Sequence, residues 1–194
     1  MKTLIRLLAT CTALTAQESP RTLTPAEAQA ALSPTVQRTA PTVKDQGVDR
    51  AYTVPKETFR EYERNFVIVK KSDGSTAKLP LLDLPVRFVK NKTTLVDATS
   101  QANLHTLAQT IAELATKENA RFEIEGHASP EGDPQRNSAL SQERADAIAQ
   151  ALALSLPEGT LRSRGFGSTH ANSKPNSPEG ELAQDRKIRV VRVR

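Results

Sequence analysis

The residues with chemistry to offer are gathered in one stretch, Phe122 to Ala145, which reads FEIEGHASPEGDPQRNSALSQERA. It carries an arginine in an unusual place. With Leu140 set at zero and a step of about 100° per residue, Ala147, Ile148, Ala151 and Leu152 fall on one apolar stripe of a helix. Arg144 falls at about 40°, inside that stripe, and Asn137 at about 60° on the same side. A guanidinium stays charged at any ordinary pH and is costly to turn toward a core unless something anionic meets it. Arg144 is therefore expected to face either a carboxylate of the protein or a pocket for an anionic ligand.

Other reactive side chains are placed less suggestively. His127 reads as a turn histidine bonded to backbone, His105 as a helix residue at the edge of an apolar face, and His170 as a loop residue. No two of them share the i, i+4 spacing of a helical metal site. Ser129 before Pro130 lacks the G-x-S-x-G setting of a nucleophile, and Gly165-Phe166-Gly167 follows the wrong element for a phosphate loop. With no pair of acids or Ser/His/Asp set standing out, no enzyme, cofactor or metal is expected. Asp133-Pro134 is a helix start, a carboxylate cap followed by a residue with pre-set φ.

The chain that must position Arg144 has 194 residues, room for one ordinary domain with extra segments. Its single cysteine excludes a disulfide framework or a cysteine-based zinc site within one chain. Net charge is +5, with both signs interspersed, which does not favour nucleic acid as a partner. MKTLIR followed by LLATCTALTA has the form of a secretory signal over residues 1–16, too short to span a bilayer. Two processing routes fit it. Cleavage after Ala13 or Ala16 gives a soluble exported protein; LLATC, similar to a lipoprotein box despite Thr10, makes Cys11 a lipidated first residue. Contact with a membrane is expected only through such an anchor. Export is the reading favoured, to the periplasm or the periplasmic face of the outer membrane.

Residues 17–58, rich in Thr, Ala, Gln and Pro, read as a flexible linker, with a turn or two of helix at Ala26 to Leu32. Residues 59–83 read as an accessory β-hairpin turning at Asp73-Gly74, its second strand held to an edge by Pro80 and Pro85. The main domain is expected over 84–194. It begins with a strand at Pro85 to Val89, then a helix from Thr99 to Lys117 with Leu104, Leu107, Ile111 and Leu114 at helical spacing. A strand at Arg121 to Glu125, the Arg144 helix to about Leu156, and a strand at Leu161 to Phe166 follow. Gly167 to Gln184 reads as a long loop, and Ile188 to Val193 as a last strand, whose alternating Arg and Val suit an edge or half-exposed position. The order β-α-β-α-β-β predicts an α+β two-layer sandwich, a mixed sheet with two helices on one face.

Five motifs then fall in the order of one family. PVRFVKN opens the domain, IEGHAS follows the second strand, NSALSQERA lies on the second helix, GFG closes the third strand, and QDRKIRV precedes the end. From about Leu84 to Arg194 the chain resembles the OmpA-like C-terminal domain, the peptidoglycan-associating module of the bacterial envelope. The resemblance implies a pocket for the diaminopimelate of a peptidoglycan stem peptide. That residue is a zwitterion, so its site needs an arginine for the carboxylate and an acid for the ammonium. By position, Arg144 is the carboxylate-binding arginine, with Asn91, Asn137 and Arg186 as supporting polar residues.

Two positions depart from the family. Its Gly-His-Thr-Asp loop is here Gly126-His127-Ala128-Ser129, so Ser129 stands where the ammonium-binding aspartate is expected, and Glu131 is a candidate replacement. Asp185 replaces an asparagine before Arg186 and brings a carboxylate that could pair with Arg144 or Arg186. The resemblance thus supports two functions. One is a non-catalytic envelope protein gripping peptidoglycan through Arg144. The other is an envelope protein–protein scaffold whose pocket is closed by internal pairs of Arg144 with Asp185 or Glu131.

Overall fold

The structure, a computed structural model, describes residues 20–33, 57–154 and 156–194. The expected signal segment and Cys11 lie outside them. Thr24 forms a reciprocal capping box with Glu27 and, ahead of Pro25, starts helix α1 (Pro25–Leu32). Eight residues are too few for a helix to persist in water without packing. The packing comes from Leu23, Ala28 and Leu32, buried beside α2 (Ala98–Glu118). Asn103 of α2, wholly buried, accepts from the Leu23 amide (2.7 Å) and donates to the carbonyls of Arg21 (2.9 Å) and Pro85 (2.7 Å). Residues 20–33 are therefore part of the packed body, where linker was expected.

The sheet contains β1 (Glu57–Tyr62), β2 (Phe66–Lys71), β3 (Thr76–Leu84), β4 (Phe122–Gly126), β5 (Leu161–Gly165) and β6 (Ile188–Arg192). Its order is β1-β2-β3-β6-β4-β5, with β4 and β5 parallel and the other pairs antiparallel. The Asp73-Gly74 turn is present: Gly74 takes φ +83°, and Asp73 Oδ1 accepts from the Ser75 amide at 2.8 Å. The β3 strand is interior, however, where Pro80 suggested an edge. Residues 76–80 pair with β2 and residues 81–84 with β6, so the missing Pro80 N–H falls where the ladder changes partner.

The first strand of the β-α-β-α-β-β core is therefore β3, and the strand expected at Pro85–Val89 is not in the sheet. At that point the chain bends, Val86 N donating to Leu84 O (2.9 Å), and Phe88 makes only an isolated bridge to Leu95. The β6 strand is also central, not at an edge. All five of its residues are buried, because Arg189 pairs with Asp83 (2.9 Å) and Arg192 with Glu118 (2.7 Å). Leu107, Ile111 and Leu114 of α2, with Ala145, Ile148 and Leu152 of α3 (Pro134–Ala153), pack on Phe122, Ile124, Ile188 and Val190. The result is the α+β sandwich expected. Within the expected 167–184 loop lies a further short helix, α4 (Glu179–Asp185).

The other face of the sheet is not left to solvent. Glu123 and Glu125, alternating with Phe122 and Ile124, are 1% and 0% exposed. Arg60 of β1 pairs with both, although β2, β3 and β6 lie between β1 and β4, so the sheet curls back on itself. Arg162 joins Glu123 (2.6 Å) and the Tyr62 hydroxyl donates to Glu125 (2.8 Å). His127 belongs to this cluster and not to a backbone-bonded turn. Its Nε2 lies 3.3 Å from Glu125 Oε2 and its ring stacks on Phe166 with centroids 5.3 Å apart.

Burial, then the charges of Arg189 and Lys187, push His127 from 6.5 down to about 3, with Asp83 pulling the other way and Arg60 adding to the fall. As pH drops from about 6.5 toward 3, the unfolded chain takes up a proton that the folded chain refuses. The stability involved is complete above pH 6.5 and is lost on acidification, by up to about 1.4 kcal/mol per pH unit. His170, pushed to about 4 chiefly by burial and then by His127, acts in the same sense. Glu123 and Glu125, raised chiefly by burial, act in the opposite sense. The His127 contribution is read as a difference: between pH 7 and 5, urea midpoints of the wild type should fall more than those of His127→Phe. Parallel curves would mean that His127 titrates freely in the fold.

Candidate functional site

The Arg144 pocket is set by how closely α3 lies on the strand ends. A Cβ on Gly126 would stand 2.0 Å from Ser141 O, and one on Gly165 would stand 2.4 Å from Gln142 N. Only glycine permits that approach. The contact is then tied by hydrogen bonds from Gly167 N to Ser141 Oγ (2.8 Å) and from Gly165 N to Gln142 Oε1 (2.6 Å). Asp133 caps the helix by accepting from Arg136 N at 2.7 Å. These constraints fix the phase of α3 and with it the direction of Arg144.

Arg144 is 7% exposed and points at the loop that follows β3. That loop is a small ladder, with Val96 N donating to Arg87 O and Val89 N to Thr94 O, and it turns at Asn91 in the left-handed region (φ 58°). Arg144 Nε donates to Lys92 O at 3.1 Å, Nη2 makes a long 3.5 Å contact with Val89 O, and the guanidinium lies 4.8 Å over the Phe88 ring. Nη1 has no hydrogen-bond partner among the described residues, nor is it a buried polar atom, so it opens to solvent. Among the described residues no carboxylate pairs with Arg144. Burial, and then the charge of Arg186, hold its pKa below the usual arginine value. The two guanidiniums thus lie near enough for their charges to act on one another, and an anion beside Nη1 would relieve that repulsion.

Both internal pairs weighed for Arg144 are absent. Asp185 accepts from the amides of Asn172 (2.9 Å) and Ser173 (3.0 Å) and from the Ser173 hydroxyl. Burial opposes its ionisation, but the Ser173 hydroxyl and these amides outweigh that and hold the carboxyl below its usual range. Glu131 approaches Arg186 at 3.7 Å instead.

Of the other expected site residues, Ser129, Glu131, Asn137 and Arg186 are brought together. Asn137 Nδ2 donates to Ser129 O (3.1 Å) and Glu131 O (2.8 Å), holding the loop after β4 against α3. Ser129, 3% exposed, faces Arg186, whose Nη1 lies 3.4 Å from its Oγ. Asn91 stands apart: it is exposed, and its side chain makes no hydrogen bond among the described residues. Its part is to shape the turn that presents the Lys92 and Val89 carbonyls.

Sequence reasoning missed Phe88, assigned to a strand, and Glu179, which also pairs with Arg186. The signal for Glu179 was faint. The α4 helix has seven residues, no side-chain cap and a single fully buried apolar residue, Leu182.

The family model for the OmpA family matches residues 87–186, more than half of the chain. This chain belongs to the OmpA family. The match runs from the loop holding Arg144 through α3 to Arg186, so it spans the whole pocket. No curated protein matches the sequence. Among solved structures, this OmpA-family chain is similar to the peptidoglycan-associated lipoprotein from Burkholderia pseudomallei. That protein is 25% identical over 56% of this chain and 86% of its own, with a TM-score of 0.47. The cell wall anchor of the T6SS from Pseudomonas aeruginosa is 18% identical over 69% of this chain and 85% of its own (TM-score 0.47). The periplasmic domain of Helicobacter pylori MotB is 12% identical over 69% and 76% (TM-score 0.49). No described helix of this OmpA-family protein is long and apolar enough to cross a membrane.

Proposed function

We propose that this protein binds peptidoglycan without catalysis, by receiving the carboxylate of a diaminopimelate-type stem peptide at Arg144. One observation carries this reading: a buried arginine, held in place by backbone carbonyls and an aromatic ring, has no carboxylate partner and keeps Nη1 open. A buried arginine is ordinarily neutralised within the protein. Carbonyls satisfy its hydrogen bonds but leave its charge, which is the state a receptor for an anion requires. Ser129, Asn137, Glu131 and Arg186 form a polar cluster whose Arg186 charge acts on Arg144, and Asn91 shapes the turn whose carbonyls hold Arg144. Membership of the OmpA family supports the same ligand.

This function places the protein in the bacterial envelope, exported by the signal at residues 1–16 and either lipidated at Cys11 or released as a soluble protein. The scaffold reading is not favoured, since the internal pairs it needs are not formed. The test is co-sedimentation of the full-length protein with purified sacculi, with a free stem tripeptide as competitor. Pelleting that the tripeptide reverses is expected. A protein that stays in the supernatant, or pellets regardless of the tripeptide, overturns the reading.

A further inference from the structure

The polar groups around Arg144 are asymmetric in charge, and this bears on which stem peptides fit. Two guanidiniums, Arg144 and Arg186, lie near enough for their charges to act on one another. At a buried position beside Arg186 stands a neutral hydroxyl, Ser129 Oγ, 3.4 Å from its Nη1. Asp185, buried and next to Arg186 in the chain, is occupied by the Asn172 and Ser173 amides, which leaves Glu131 and Glu179 as the acids at Arg186. Both are already directed at Arg186, and their side chains are 43% and 69% exposed.

We infer that the pocket reads the carboxylate of its ligand and does not require a free amine beside it, so that cross-linked stem peptides, whose side-chain amine is acylated, bind as well as uncross-linked ones. This rests on the stem-peptide reading above and specifies which stems it covers. An ammonium entering this site meets two like charges and no buried acid that is free to pair with it, Asp185 being held by Asn172 and Ser173. The exposed glutamates offer it little: an ion pair at that exposure, in competition with Arg186, changes binding by at most about fivefold, or roughly 1 kcal/mol. The Ser129 hydroxyl accepts a hydrogen bond from an ammonium N–H or an amide N–H alike. Acylation therefore removes a charge that the two guanidiniums repel and keeps the N–H that the Ser129 hydroxyl accepts.

Calorimetry with the full-length chain tests this, using an L-Ala–D-Glu–diaminopimelate tripeptide with its side-chain amine free or acetylated. The acetylated peptide is expected to bind within about fivefold of the free one, or more tightly. Ser129→Asp, which places a carboxylate at a buried position, should shift preference at least tenfold toward the free amine, whereas Glu131→Gln should leave the ratio within about fivefold. Binding of the free peptide with a loss of more than about tenfold on acetylation (roughly 1.4 kcal/mol) overturns the inference and leaves the stem-peptide reading standing. Failure of both peptides to bind removes that reading and this inference together.

Discussion

Arg144→Ala should lose retention on sacculi altogether. Removing one member of a buried charge pair typically weakens a complex by about 2–5 kcal/mol, which is roughly thirtyfold to several thousandfold in affinity. The arginine presents its charge from a pre-set geometry, so its loss is not made good by a rearranged neighbour. Arg186, the nearest cation, is already engaged with Glu131 and Glu179. Lysine in place of Arg144 should recover only part of the binding, because an ammonium cannot hold the Lys92 carbonyl and the ligand in one planar fork.

The same substitution frees two backbone carbonyls, and Val89 O still accepts from Lys92 N. Its effect on folding should therefore be modest, about 1–2 kcal/mol. A folded Arg144→Ala protein that still pellets with sacculi, in a manner competed by tripeptide, would show that the carboxylate is read elsewhere.

The largest loss of stability is expected at Arg60, which is remote from the pocket in function. Arg60→Ala leaves Glu123 to Arg162 and takes from the wholly buried Glu125 its ion-pair partner, with the Tyr62 hydroxyl, His127 and the charge of Arg189 still acting on it. Breaking a buried pair in this way typically destabilises by about 3–5 kcal/mol. Urea denaturation should show it as a lower midpoint. Adding Glu125→Gln to Arg60→Met should restore part of the loss, since it removes an orphaned charge and leaves apolar volume. No recovery in the double variant would mean that Arg60 acts through packing. In buffer without urea, where the variants are folded, their tripeptide affinity should stay near that of the wild type, because none of the contacts that hold Arg144 involves the Arg60 cluster.

The inward arginine was legible because helical phase is a local property, and Asp133-Pro134 sets where that helix begins. Asn137 followed from the same phase, whereas Ser129 and Glu131 stood out through the resemblance of the loop after β4 to the family's motif. What escaped the sequence were partners far apart in the chain. Alternation of Arg and Val over Ile188 to Arg192 looks like one wet face, yet Asp83 and Glu118 cover those charges from other elements. The alternation of Phe122 and Ile124 with Glu123 and Glu125 likewise gave no sign of a buried ion pair, since their partner Arg60 lies more than sixty residues upstream. The strand expected at Pro85–Val89 had the right composition, but the ladder with β6 is satisfied by residues 81–84 and the chain turns away at Pro85. Asn103 gave no sign that it would clamp a segment eighty residues before it.

The central place of β6 has a consequence for how the molecule is made. It is the only described strand that pairs with both β3 and β4, so the strands before α2 and those after it share no ladder until residues 188–192 are added. During synthesis from the N-terminus, neither half can close its sheet alone, and the non-local pairings form last. The sheet of a chain built this way is whole only once its final strand is available, so removal of residues 188–192 would leave two unjoined halves.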